Sequence, residues 1–149
     1  MNSFSHLSQD EISQLVKAPL FVGLLIAEAD GEADHKELEW IEKVTSFRIK
    51  TAHHALRGYY QMANEEVKAN LNLERSKCPE NQDDKMIYLS GKLAEMKPIL
   101  DKLDENFRHK LVDSYHSMAL SVAEVSGGLI NFFSHNPAEE KWLSLSMLD

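Results

Sequence analysis

The stretch Pro19-Leu20-Phe21-Val22-Gly23-Leu24-Leu25-Ile26-Ala27-Glu28-Ala29-Asp30-Gly31 decides the fold. Proline suits the first turn of a helix, where a missing amide costs nothing because the first amides have no partner inside the helix. From Leu20 to Ala29 the residues are apolar on nearly every side, and a helix of that kind belongs at the centre of a domain. Asp30-Gly31 stops it, glycine being able to take the left-handed conformation of a helix C-terminus. Asp34 opens the next helix, and Glu37, three residues on, completes a capping box; Leu38, Ile41 and Val44 then form its buried stripe.

Outward from this hairpin the spacing of apolar residues stays at three and four, so the chain reads as all-α, with no convincing strand. Ser8 and Glu11 form another capping box, before a short first helix carrying Ile12, Leu15 and Val16. After Thr51, Ala52 to Met62 and then Val67 to Leu71 predict two further short helices before a loop at Cys78 to Asp83. Met86, Leu89, Leu93 and Met96 mark another helix, which Pro98 ends, bends or follows by opening the next turn. Asp104 caps a long helix with the stripe Phe107, Leu111, Tyr115, Met118, Val122 and Val125, ending at Gly127-Gly128. Asn136, with Pro137 and Glu139, opens the last helix.

The bulk composition agrees with one folded domain over residues 1–149: 43% of the chain is hydrophobic and 27% charged. A net charge of −8 and the lack of any basic run interleaved with aromatics exclude nucleic acid as a main ligand. Leu20 to Ala27 is too short to cross a bilayer, which takes about 18 or more apolar residues. The first residues have no basic region followed by an apolar core, and Cys78 is the one cysteine, so a reducing cytoplasm is the expected location.

The chain also repeats itself. Ala27-Glu28-Ala29-Asp30-Gly31 aligns with Ala123-Glu124-Val125-Ser126-Gly127 at one offset. Asp34, Glu37 and Trp40 align with Asn136, Glu139 and Trp142 at a longer one, the difference being the insert Leu129 to Ser134. Two such hairpins are expected to pack around their apolar first helices about a rough two-fold axis, with Trp40 and Trp142 each facing the core.

An apolar helix ending in Ala29-Asp30-Gly31-Glu32, with Glu37 in the next helix and a second copy after a long helix opened by Leu103-Asp104, resembles the tellurite-resistance protein B (TerB) family and the TerB-like domains. The resemblance covers most of the chain; about 50–83 it holds only in helical character. It implies a bundle of about seven helices built from two pseudo-repeated helix-turn-helix hairpins. It further implies a stress-response role of the tellurite-resistance type, with acidic residues at the turns binding metal ions and no catalytic activity. The family also supplies adaptor modules, so the implied partner is a protein, including a membrane-associated stress complex. The second turn departs from the family pattern: Ser126 stands where aspartate is favoured and Gly128 where glutamate is.

Glu28, Asp30, Glu32, Asp34 and Glu37 place five carboxylates within ten residues, the ligand type that hard cations take. Together with Glu124 they are the candidate ligands for a divalent ion, calcium, magnesium, manganese or zinc. The competing account is a solvated acidic turn in which Asp34 and Glu37 only cap. An EF-hand starting at Asp30 is excluded, since it would need glycine at His35 and glutamate at Ile41. Glu28 and its repeat partner Glu124 are expected to be exposed at their helix ends; if buried instead, each must find a partner or a cation, and the two-fold arrangement would let the two approach each other. His109, Asp113 and His116 share a helix face but lack a fourth zinc ligand. No nucleophile–base cluster or phosphate loop argues for an enzyme. The alternative function is a metal-free interaction or homo-oligomerising adaptor, a homodimer included, using the apolar insert Leu129, Ile130, Phe132 and Phe133 as its contact.

Overall fold

The computed structural model describes residues 4–29, 31, 33–126 and 142–149, with the side chain of Ser126 left aside. Among these residues every regular element is helical: α1 (Gln9–Leu15), α2 (Ala18–Ala27), α3 (His35–Thr51), a 3-10 turn at His54–Leu56, α4 (Arg57–Ser76), α5 (Gln82–Ala94), α6 (Lys97–Leu100), α7 (Glu105–Ser126) and a 3-10 turn at Ser146–Leu148. No helix among them is long and apolar enough to cross a membrane.

The α2 helix is the axis of the molecule. All ten of its residues are buried, and it packs against α3, α4, α5 and α7. Full burial of each large aliphatic side chain stabilises by about 1.5–3 kcal/mol, so this one helix supplies a large share of the hydrophobic term. At Gly23 a methyl group would come within 2.5 Å of the Ile41 side chain, and that close approach of α3 to α2 is why the helix carries glycine at this point.

Both expected capping boxes are formed. Ser8 Oγ accepts from the amide of Glu11 while Glu11 accepts from the amide of Ser8, and Asp34 and Glu37 exchange the same pair of bonds at the start of α3. Pro98 opens α6, and Asp104 accepts from the amide of Phe107 in the first turn of α7. The Phe107 to Val122 stripe is buried, whereas Val125 at its end is half-buried.

One stretch differs from the sequence reading. Instead of two short helices after Thr51, the chain makes the His54–Leu56 turn and then the single twenty-residue helix α4. Its buried positions Tyr60, Ala63, Val67, Leu71 and Glu74 keep steps of three and four throughout. Met62 is 39% exposed, and Glu65, exposed, and Glu66, half-buried, lie within the same helix. A buried Tyr pair ties this helix to its neighbours. Tyr59 Oη donates to the carbonyl of Leu15 at 2.7 Å, so the Tyr115 hydroxyl, 2.6 Å away, donates to Tyr59.

Candidate functional site: the acidic turn and its anchor

The turn after α2 is built around Glu28, the C-cap of that helix, which is 1% exposed. A carboxylate so placed needs compensation, and three groups supply it. Arg75 Nε, from the last turn of α4, donates to Oε1 at 2.7 Å; Lys85 Nζ, from the first turn of α5, donates to Oε2 at 3.2 Å; the amide of Ala33 donates to Oε2 at 2.7 Å. The backbone is held as well. Gln82 Nε2 donates to the carbonyls of Glu28 and Ala29, just beyond the end of α2, and Arg75 Nη2 donates to the carbonyl of Ala33. Gly31 has φ 138°, a conformation that only glycine adopts without strain.

These side chains floor an open polar cleft of about 610 Å³, which Cys78 and Glu80 also line. Burial, and then the charge of Glu28, push the Cys78 thiol pKa up, so little thiolate forms at neutral pH. The same end of α4 carries a second buried carboxylate: Glu74, next to Arg75, pairs with Lys17 at 3.3 Å and Lys77 at 3.5 Å. Adjacent residues of opposite charge on α4 thus hold both ends of α2, Lys17 at its start and Glu28 at its finish.

The candidate ligands fall into three groups. Glu28 has both oxygens engaged by cations and an amide. Asp34 is exposed and Glu37 half-buried, and in the capping box each carboxylate accepts from the other residue's amide. Asp30 and Glu32 lie outside the described residues, as do Leu129, Ile130, Phe132 and Phe133. Glu124 is not brought to this turn: it is exposed and lines a different cavity, beside α3. The expected exposure at the helix end holds for Glu124 and is corrected for Glu28, and the two carboxylates do not share a site. The physical reason is that α2 is enclosed on all sides, whereas α7 buries only one stripe and leaves Glu124 on its outer face.

Among the described residues no three His, Cys, Asp or Glu gather as a metal site requires. Within the His109, Asp113 and His116 triplet, His116 Nε2 instead lies 3.1 Å from the carbonyl of Ser144. Trp40 is half-buried, with Nε1 donating to the carbonyl of Ser121 at 2.9 Å.

Sequence reasoning missed Arg75, Gln82 and Lys85. A signal for the last was available: Lys85, Leu89 and Leu93 fall at steps of four, which puts a lysine at a core position, and the fold leaves it 8% exposed. A buried lysine and a carboxylate at the end of the most apolar helix call for each other.

Comparison with protein-family models, with curated proteins and with solved structures found no match.

Proposed function

We propose that the chain is a TerB-like binding module, built on two related helical hairpins, whose acidic turn between α2 and α3 takes up a divalent cation as part of a stress response. It works by binding and not by turnover. The observation that carries this reading is the anchoring of the turn by Glu28. Gln82 of α5 holds the carbonyls of Glu28 and Ala29 before Gly31 and Arg75 of α4 holds the carbonyl of Ala33 after it, which supports a reading in which Asp34 and Glu37 meet an ion from a fixed backbone. In this scheme Asp30, Glu32, Asp34 and Glu37 are the ligands, Glu28 is the positioning residue, and Glu124 takes no part. Calcium, magnesium and manganese suit such an all-oxygen set better than zinc does.

The test is thermal melting of chelator-treated protein with and without calcium, magnesium, manganese or zinc. An ion that binds only the folded state raises the melting temperature, by the equivalent of about 2.7 kcal/mol at a hundred times its Kd. A saturable rise that disappears in the Asp30→Asn, Glu37→Gln double variant supports the proposal; no shift with any of the four ions sinks it.

The second reading, a metal-free interaction or homo-oligomerising module in the cytoplasm, draws on one observation: Phe47 on α3 is 65% exposed. If the insert is the contact, Phe132→Ser with Phe133→Ser alters the oligomeric mass in solution, and an unchanged mass removes that role from the insert.

A further inference from the structure

The helices α5 and α7 both pack on α2 and hardly on each other, and the furrow between them is bridged by residues 142–149. The 3-10 turn Ser146–Leu148 lies against α5, and Nε2 of His116 on α7 lies 3.1 Å from the carbonyl of Ser144. Leu145 and Leu148 are buried and belong to the main apolar core, while Ser144, Ser146 and Asp149 face solvent. The segment therefore enters the core through a pair of leucines three residues apart and shows water a polar back.

Two features set these residues apart from the helices they touch. Their amides bond within the segment, that of Leu145 to the carbonyl of Trp142, that of Leu148 to Leu145 and that of Asp149 to Ser146, so lifting the segment breaks no helical ladder. Leu145 has φ 48° and ψ 43°, left-handed values that leucine keeps only where its surroundings hold it. A fully buried side chain in a conformation its own backbone does not favour is shaped by its seat, as a bound peptide is. Elements held by few buried side chains and no shared ladder are also those that open while the rest of a domain stays folded.

We propose that the furrow between α5 and α7 is a peptide-docking site whose occupant is the chain's own segment 142–149, a strap that lifts and reseats as a unit while the helices stay folded. The Leu145 and Leu148 side chains are its recognition element. Being tethered to the body, the strap acts at an effective concentration on the order of millimolar, so it keeps the furrow closed to weaker competitors. A competing segment needs the same pair of leucines and gains the furrow only as the strap leaves it, its apparent affinity being reduced by the fraction of chains that are open. The inference does not rest on the cation reading, and the two fail separately because the docking test is run on chelated protein.

The probe is a fluorescein-labelled synthetic peptide of residues 142–149, added to the full chain as wild type and as the Leu145→Ser, Leu148→Ser double variant, whose own strap is released. Fluorescence anisotropy is expected to show saturable binding to the variant with a Kd of about 100 µM, and an apparent affinity roughly tenfold or more weaker for the wild type, where the strap competes. The same peptide carrying Leu145→Ser and Leu148→Ser should bind neither protein. In the wild type, hydrogen exchange should find the amides of Leu145 and Leu148 opening at least about a hundredfold more often than those of α2. Absence of saturable binding to a variant that keeps its helical circular dichroism and cooperative melt overturns the proposal, and so does equal affinity for variant and wild type. If the double variant does not fold, the exchange measurement decides. Leu145 and Leu148 amides that exchange in step with those of α2 make the segment an inseparable part of the core and overturn the proposal.

Discussion

Arg75 Nε lies 2.7 Å from Oε1 of Glu28 across 47 residues of sequence, and this ion pair joins the end of the fully buried α2 to the end of α4. Lys85 closes the arrangement from the other side. Side-chain exposures of 2% for Glu28, 26% for Arg75 and 10% for Lys85 place the three in a region of low effective dielectric. There, loss of one member costs more than the contact itself is worth, because the others stay buried.

Glu28→Gln is therefore expected to destabilise the fold by about 3–5 kcal/mol, the range for leaving buried charges uncompensated. Lys85→Met, which retains the Glu28–Arg75 pair and fills the space of the lysine stem, should cost less. Urea unfolding of the two variants measures both. Equal and small losses would mean that the triad is solvated and contributes little.

Gly31→Ala and Gly23→Ala separate two reasons for glycine. At Gly31 nothing lies within 4 Å of the added methyl, so the cost arises from φ 138° alone, on the order of 1–3 kcal/mol. At Gly23 the backbone is helical and alanine is intrinsically favoured by about 1 kcal/mol, but the methyl meets Ile41 at 2.5 Å. Overpacking of about 1–3 kcal/mol should outweigh that gain. The companion change Ile41→Val ought to relieve part of the Gly23→Ala loss and none of the Gly31→Ala loss, as a thermal-melt cycle would reveal.

Tyr59, Tyr60 and Tyr115 make the fold sensitive to alkali. Burial raises all three pKa values, that of Tyr60 to about 12 and those of Tyr59 and Tyr115 well above the usual 10; Tyr115 and Tyr60 add to the rise at Tyr59, whereas at Tyr115 Tyr60 adds to it and the hydrogen bond with Tyr59 works against it. The folded state thus holds its phenolic protons more tightly than the unfolded state. Their contribution is complete below pH 10 and is lost as the pH climbs from there to 12 and beyond, at roughly 1.4 kcal/mol per tyrosine per unit. Tyrosinate absorbance and helical circular dichroism should change together in that window. Tyrosinate appearing well before helix loss would show that these hydroxyls are accessible.

Asp34→Ala removes the N-cap of α3 and should cost about 0.5–2 kcal/mol in chelated protein. If Asp34 also holds a cation, the variant loses the ion-dependent rise in melting temperature in addition. A variant that melts lower but keeps the full ion response would confine Asp34 to capping.

Much of the helix order was legible in the sequence because it depends on local chemistry. Ser8 with Glu11 and Asp34 with Glu37 cap through bonds three residues apart, and Pro19, Gly31 and Pro98 act on their own backbone. The run Leu20 to Ala27 announces its central place by having no polar face. The continuity of α4 was not legible. Its buried stripe passes through Ala63 and Asn64, residues too small or too polar to stand out, and only packing against α3 identifies them as interior.

By itself, then, the sequence determined an all-helical chain, the positions of its caps and stops, the central helix and an acidic turn after it. Tertiary structure alone decided that Glu28 faces Arg75 and Lys85, and that Glu124 stands apart in a cavity it lines with Phe47. The division has one physical cause. Caps, turns and amphipathic stripes are set by neighbours within a few residues, whereas the partner of a buried charge lies wherever chain packing brings an opposite charge close enough to replace the water it has lost.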